Sequence, residues 1–133
     1  MAQEVEKYSS AALAFLGDSV FEVNIRRSIV ETCKKDAGEL NKKTKALTNA
    51  KAQSEIAGFL LEHLSEEEIA VYKRGRNMKS VNAPKSCSIS EYRRATGLEA
   101  LYGYLFVTEN IKRIDELTEM IISFMEEKYG KAE

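Results

Sequence analysis

The sequence predicts an all-α protein, a helical bundle, and three observations support this. Apolar residues recur with helical spacing over most of the chain. No alternation typical of a β-strand holds for more than a few residues. Several helix starts have capping-box spacing, in which an N-cap oxygen precedes a glutamate by three residues. The expected helices lie near residues 8–33, 36–63, 65–76, 88–107 and 110–129.

Four of these segments carry an apolar stripe on one helical face. In chain order, the stripes are Leu13, Leu16, Val20 and Val23; Leu47, Ala50, Ala57, Leu61 and Leu64; Leu98, Leu101, Tyr102 and Leu105; and Ile114, Leu117, Ile121, Phe124 and Met125. The capping-box pairs are Asp36 with Glu39, Ser65 with Glu68, and Ser88 with Glu91. Asn110 is the predicted N-cap of the last helix. The stretch from Asn77 to Cys87 contains the only proline, Pro84, and is predicted to be the one substantial loop.

The length and composition predict one soluble domain, residues 1–133. The chain has 133 residues, of which 44% are hydrophobic and 31% charged, and this is enough to bury a core. No apolar run is long enough to span a membrane, and the polar, acidic start from Met1 to Lys7 does not fit a secretory signal. The two cysteines, Cys33 and Cys87, lack metal-ligand spacing, which indicates reduced thiols in a cytoplasmic protein.

The charge is unevenly distributed. Residues 73–94 carry seven basic side chains and one acid, a net charge of +6, so the rest of the chain sums to −7 for a total of −1. The basic residues are Lys73, Arg74, Arg76, Lys79, Lys85, Arg93 and Arg94. Such a local concentration of positive charge favours a polyanion at one place on the surface. A solvated loop that serves solubility is the alternative.

Two carboxylates, Asp18 and Glu99, are embedded in apolar helical patterns far apart in the sequence. A buried carboxylate must be paired, protonated or bound to a cation, because burying it bare costs several kcal/mol or more. Two alternatives remain open. Gly17 and Asp18 could form a helix break, and Glu99 could form an ion pair with a neighbouring arginine, Arg93 or Arg94.

The residue types leave carboxylate chemistry as the main enzymatic possibility. The single histidine, His63, and the absence of a glycine-rich phosphate loop argue against nucleophilic triads and nucleotide sites. Mg²⁺ prefers oxygen ligands and keeps several waters, so Asp18, Glu99 and substrate phosphate oxygens could hold it together. The ion would then assist phosphodiester hydrolysis.

Several motifs together resemble the ribonuclease III family, in particular its short bacterial form, Mini-ribonuclease III, over about residues 8–128. The motifs are Leu13-Ala14-Phe15-Leu16-Gly17-Asp18-Ser19-Val20, Ala37-Gly38-Glu39-Leu40-Asn41-Lys42-Lys43, Ala50-Lys51-Ala52-Gln53, Lys73-Arg74-Gly75-Arg76-Asn77-Met78-Lys79-Ser80, Pro84-Lys85, Tyr92-Arg93-Arg94-Ala95-Thr96-Gly97 and Leu98-Glu99-Ala100-Leu101-Tyr102-Gly103-Tyr104-Leu105. By position, Asp18 matches the aspartate of the family's signature helix, and Glu99 matches the essential glutamate of its second acidic helix.

The resemblance implies a homodimeric, ribonuclease III-type catalytic domain that cuts double-stranded RNA with Mg²⁺, leaves 5′-phosphates and matures the ends of the 23S ribosomal RNA precursor. It implies Asp18 and Glu99 as catalytic and metal-binding residues. The residues expected to bind RNA are Arg74, Arg76, Lys79, Lys85, Arg93 and Arg94. Neither an organic cofactor nor a membrane partner is expected.

The sequence also departs from full-length ribonuclease III. Ala14 and Thr96 stand where that family has two further acids, so water is the expected substitute ligand and Glu22 a candidate outer-sphere helper. The chain ends shortly after its last predicted helix, so we expect no separate double-stranded RNA-binding domain. Two alternative functions remain: a non-catalytic helical RNA-binding adaptor and a purely structural helical oligomer.

Overall fold

The computed structural model describes residues 8–32, 36–79 and 84–130. This part of the chain contains six α-helices and no strand, which confirms the all-α prediction. The helices are α1 (Ser10–Thr32), α2 (Ala37–Thr48), α3 (Ala50–Leu60), α4 (Glu66–Arg76), α5 (Ile89–Val107) and α6 (Ile111–Tyr129), with a short 3₁₀ turn at Leu61–His63 between α3 and α4. No helix within these ranges has the length and apolar character needed to cross a membrane.

The prediction of one helix over 36–63 is wrong, because the helix is interrupted at Asn49. The Asn49 backbone is extended, with φ −75° and ψ 158°, so α2 ends there. The Asn49 side-chain oxygen accepts a hydrogen bond from the backbone NH of Ala52 at 2.9 Å and caps α3. Asparagine competes for backbone hydrogen bonds in this way, which favours caps over helix interiors.

The other predicted starts are mostly confirmed. Ser65 and Ser88 each form a complete capping box at the start of α4 and α5, and Asp36 accepts a hydrogen bond from the backbone NH of Glu39 at 3.0 Å. Asn110 precedes α6, but its side chain does not cap the helix. Instead its amide donates to the Thr108 hydroxyl at 2.7 Å within the turn, so Asn110 occupies the predicted N-cap position but does not form the side-chain hydrogen bond of a cap.

The predicted loop is non-helical at residues 77–79 and 84–88. Residues 80–83 lie outside the described ranges, as does Cys33. Cys87 is a free, partly buried thiol.

Helix α5 is the centre of the fold and packs against α1, α3, α4 and α6. Tyr102 of α5 is fully buried and meets Phe21 of α1 edge-to-face, with ring centroids 5.0 Å apart. The Tyr102 hydroxyl shares a 2.8 Å hydrogen bond with Thr118 of α6, so this buried polar group is satisfied. One side chain of α5 thus joins three helices in the core.

The apolar stripes of α5 and α6 lie in the core as predicted, but the predicted stripe of α1 is partly wrong. Val23 is 60% exposed, while Phe21 and Ile25 are fully buried. The buried face of α1 follows a spacing of four residues, Leu13, Gly17, Phe21, Ile25 and Ile29. Residues four apart lie on the same helical face, and Gly17 within this series marks the crossing with α5.

A buried ion pair fixes α4 against α6. Glu68 is buried in the first turn of α4 and completes the Ser65 capping box by accepting from the Ser65 backbone NH at 2.8 Å. Its carboxylate also accepts from Arg113 of α6 at 2.9 and 3.0 Å. Arg113 donates a further hydrogen bond to the His63 carbonyl at 2.7 Å. Burial raises the pKa of Glu68, but these hydrogen bonds outweigh it and the net shift is downward.

Candidate active site

Helices α1 and α5 cross backbone to backbone at two glycines. A β-carbon on Gly17 would overlap the backbone carbonyl of Glu99, and one on Gly103 would overlap the carbonyl of Leu13. Only glycine permits so close an approach. Gly103, one turn after Glu99, thus leaves room for the α1 backbone. The crossing places Asp18, which follows Gly17, next to Glu99.

The structure brings the two carboxyl groups into contact. Helix α1 runs unbroken through Gly17 and Asp18, so the alternative of a helix break is excluded. Glu99 is partly buried, whereas Asp18 is exposed, so the expectation that both acids are buried holds for Glu99 alone. No ion pair within the described ranges joins Glu99 to Arg93 or Arg94.

The environment of Glu99 strongly favours its neutral form. Burial, the negative charge of Asp18 and the hydrogen-bonding contact between the two carboxyl groups together raise the pKa of Glu99 to about 8. The polar side chain of Gln53 acts in the opposite direction and lowers the pKa of Glu99. A carboxyl group shifted this far without a cationic partner marks a candidate functional site.

Gln53 is the site residue that the sequence reasoning did not single out. It lies on α3 and is only 3% exposed, and its side chain reaches Glu99 across the contact between α3 and α5. The available signal was a long polar residue within the buried face that also contains Ala52, Ile56 and Ala57. A buried glutamine is uncommon and needs a partner.

The donor set suits a divalent cation that prefers oxygen ligands. Two contacting carboxyl groups, neither paired with a basic side chain in the described part of the chain, lose their mutual repulsion when a cation lies between them. No group of three or more His, Cys, Asp or Glu residues that could hold a metal occurs within the described ranges. Among the described residues, Asp18 and Glu99 would therefore be the only acidic ligands.

Neighbouring positions add no acid to the site. Ala14 is buried one turn before Asp18. The Thr96 hydroxyl donates to the Tyr92 carbonyl at 2.9 Å. Glu22, the candidate outer-sphere helper, forms an ion pair with Arg26 at 2.8 Å, which gives it a partner other than the carboxyl pair.

The basic residues lie at or just after the end of α4, in the segment that leads to α5, and near the start of α5. Gly75, near the end of α4, packs against Gly97 and Ala100 of α5, so the end of α4 lies beside the stretch that contains Glu99. Six of the basic side chains are exposed and Arg76 is partly exposed; the exposed six are Lys73, Arg74, Lys79, Lys85, Arg93 and Arg94. Within the described ranges none of the seven takes part in an ion pair.

Two pockets of the described structure lie away from the carboxyl pair. One, of about 540 Å³, is formed between the end of α1, α2, α3 and α6, and includes Ile29, Leu47 and Met125. Another, of about 580 Å³, is formed around Phe59 and His63. Neither contains Asp18 or Glu99; Asp18 is exposed and Glu99 is partly buried.

Comparison with known proteins identifies the class of domain. The family model for the Ribonuclease III domain matches residues 11–110, which include both acidic helices and the basic segment. The all-helical fold with its carboxyl pair is thus that of a ribonuclease III-type endoribonuclease.

Individual relatives narrow this to one branch. The chain is 39% identical over 129 residues to the Mini-ribonuclease 3 of Clostridium tetani, covering 94% of this chain and 83% of the relative. It is 44% identical over 111 residues to a Mini-ribonuclease 3-like protein of Ilyobacter polytropus, and the match covers 84% of this chain and 87% of the relative. A crystal structure of a Fusobacterium nucleatum protein is 36% identical, with a TM-score of 0.79, and covers 87% of this chain and 93% of that one. The chain belongs to the Mini-ribonuclease III group of the ribonuclease III family.

Proposed function

We propose that the protein cleaves double-stranded RNA by Mg²⁺-dependent phosphodiester hydrolysis and leaves 5′-phosphates. The observation that carries this proposal is the contact between the Asp18 and Glu99 carboxyl groups at the crossing of two helices of a ribonuclease III domain. These two residues would hold Mg²⁺, with water and substrate phosphate oxygens as the other ligands. When bound, the ion supplies activation of the attacking water and stabilisation of the leaving oxygen.

The open position of the pair supports a macromolecular substrate. Asp18 is exposed, and Glu99 beside it is only partly buried. A rigid duplex cannot enter a closed cavity, but its phosphate backbone can approach an exposed carboxylate through a bridging cation. The backbone crossing at Gly17 holds the carboxyl pair in place before the RNA arrives, so little reorganisation is needed.

The basic segment supplies the contacts to RNA in this proposal. Arg74, Arg76 and Lys79 would bind phosphates at the end of α4, Lys85 in the connecting segment, and Arg93 and Arg94 at the start of α5. Their exposure and lack of acidic partners in the described structure support this role. Contacts with phosphates and 2′-hydroxyls recognise the shape of an A-form duplex.

We also propose that the active form is a homodimer. Phe15, Val23 and Val30 are 84%, 60% and 54% exposed and lie on one face of α1, the helix that carries Asp18. Two copies related by a two-fold axis would present one site to each strand of a duplex. Light scattering should give a dimer for the purified protein and a monomer for Phe15→Ser. Phe106→Ser, which removes another exposed phenylalanine, should remain dimeric; a monomeric wild-type protein would contradict this proposal.

The cellular role that we propose is maturation of the ends of the 23S ribosomal RNA precursor in the cytoplasm. The relation to Mini-ribonuclease 3 proteins supports a processing nuclease. Incubating the protein with a transcript that carries the paired precursor ends tests this directly. Cleavage at discrete positions within the paired stem is expected, whereas cleavage of that transcript at no specific position would contradict the role.

The central test is a cleavage assay on labelled duplex RNA with and without Mg²⁺. Asp18→Asn and Glu99→Gln should each abolish cutting while retaining the fold and most of the RNA affinity. Glu119→Gln, which changes an exposed acid on α6, is the matched control and should cut normally. Full activity of either site variant would refute the assignment. Binding by the wild-type protein without Mg²⁺-dependent cutting would favour the adaptor alternative, and no binding at all would favour the structural one.

A further inference from the structure

We propose that Gln53 is a positioning residue of the nuclease site, whose buried amide holds the Glu99 carboxyl group in its working orientation beside Asp18. The inference rests on the proposed function, since it assigns a role within the same site. It adds an uncharged residue from a third helix to the two acidic helices.

The burial of Gln53 requires a specific partner. The residue is 3% exposed, and its neighbours Ile56 and Ala57 on α3 are buried as well. Burying an amide without hydrogen bonds costs roughly 1–3 kcal/mol. No fully buried side-chain nitrogen or oxygen in the described structure lacks a hydrogen-bond partner, and the Gln53 side chain lies close enough to the Glu99 carboxyl group to lower its pKa. The polar group is thus directed at the candidate site.

The backbone fixes where Gln53 lies. Asn49 caps α3, and the backbone NH of Gln53 donates to the Asn49 carbonyl at 2.9 Å, within the first turn of the helix. Helix α3 packs against α5, which carries Glu99. The capped helix holds the backbone of Gln53 in place, so its side chain keeps a defined orientation, as a positioning role requires.

The chemistry of an amide suits this role. A hydrogen bond donated to one carboxylate oxygen fixes the plane of the group and leaves the lone pairs of the other oxygen free for a cation. An amide adds no third negative charge to two carboxyl groups already in contact. Partners that orient metal-ligating carboxylates commonly change metal affinity or activity by about 10–100-fold when removed.

The test replaces Gln53 by methionine, which has similar length and volume but no amide. Ser54→Ala is the matched control, since Ser54 is the adjacent buried polar residue, 5% exposed, on the same helix. The measurements are Mg²⁺ affinity by calorimetry without RNA, duplex affinity in EDTA, kcat, and melting temperature. For Gln53→Met we expect Mg²⁺ binding and kcat each reduced about tenfold or more, with duplex affinity unchanged. For Ser54→Ala we expect a change in melting temperature only.

The outcomes separate positioning from simple core packing. If Gln53→Met lowers the melting temperature but leaves Mg²⁺ affinity and kcat at wild-type values, the proposal is overturned. If that variant does not fold, Gln53→Leu also removes the amide without adding a charge, and wild-type Mg²⁺ affinity and kcat there would also overturn it. A wild-type protein that cuts no RNA would refute the proposed function instead, and the calorimetric comparison would still decide the role of Gln53.

Discussion

Replacing Glu99 by glutamine should stabilise the metal-free protein at alkaline pH even though it abolishes cleavage. Burial and the Asp18 charge raise the pKa of Glu99 from its ordinary value of 4.5 to about 8. Between these two values the folded protein holds a proton that the unfolded chain releases, so the free energy of unfolding falls as the pH rises. Below pH 4.5 Glu99 is protonated in both the folded and the unfolded protein, so its ionisation costs no stability. Above pH 8 it is ionised in both, and the loss of stability is complete. Because glutamine cannot ionise, the Glu99→Gln variant does not lose this stability as the pH rises.

The size of the effect follows from the same shift. Moving a pKa from 4.5 to about 8 corresponds to at most about 5 kcal/mol, at roughly 1.4 kcal/mol per pKa unit. Glu99 is only partly buried, and water screens part of the repulsion from the exposed Asp18. We therefore expect Glu99→Gln to exceed the wild type by about 1–3 kcal/mol at pH 8.5, or roughly 3–10 °C in melting temperature.

The assay is urea or thermal unfolding in EDTA between pH 5 and 9, followed by circular dichroism. The control is Glu68→Gln, because the net shift in the pKa of Glu68 is downward and its charge is paired with Arg113. The Glu68→Gln variant should be less stable than the wild type at neutral pH, and this difference in the free energy of unfolding should shrink as the pH falls. The reasoning is refuted if Glu99→Gln never exceeds the wild type in EDTA, or if its advantage does not grow between pH 5 and 8.

Two other perturbations test the RNA-binding surface and the helix crossing. Replacing Arg74, Arg76 and Lys79 together by alanine should weaken duplex binding and flatten its dependence on salt, measured by fluorescence anisotropy at two or more ionic strengths; unchanged binding would show that these residues only solubilise the protein. Gly17→Ala should lower the free energy of unfolding by about 1–3 kcal/mol or more through overpacking against α5. Gly58→Ala, where an added β-carbon meets nothing, should leave stability equal or higher, and equal effects at both glycines would contradict the crossing geometry.

The sequence predicts the helices well where local chemistry decides. The capping boxes at Ser65 and Ser88 join residues three positions apart, so both partners of each hydrogen bond can be identified from the local sequence. The break at Asn49 was missed because apolar spacing continues on both sides of it, and only the extended backbone of one residue separates α2 from α3. Periodicity reports which face is apolar, and it is insensitive to a one-residue interruption.

The candidate site could be predicted only in part. The acidic pair was visible as two charges within apolar patterns, but the exposure of Asp18 depends on where α1 lies against α5, which no local pattern contains. Gln53 was overlooked because its partner is 46 positions away in the numbering and its own neighbours merely resemble a helix face. Contacts between distant segments follow from packing, whereas capping follows from the local sequence.

The glycine crossing explains how a site with only two acids can keep a defined geometry. The distance between the Asp18 and Glu99 carboxyl groups is set mainly by the backbones, since Gly17 lies directly against the Glu99 carbonyl. Any side chain at position 17 would push α1 away from α5 and separate the carboxyl groups by a similar amount. With Ala14 and Thr96 at the adjacent turns, neither position supplies an acid that could compensate for that displacement. Stability and metal binding therefore depend on the same contact, and a substitution at Gly17 should impair both together.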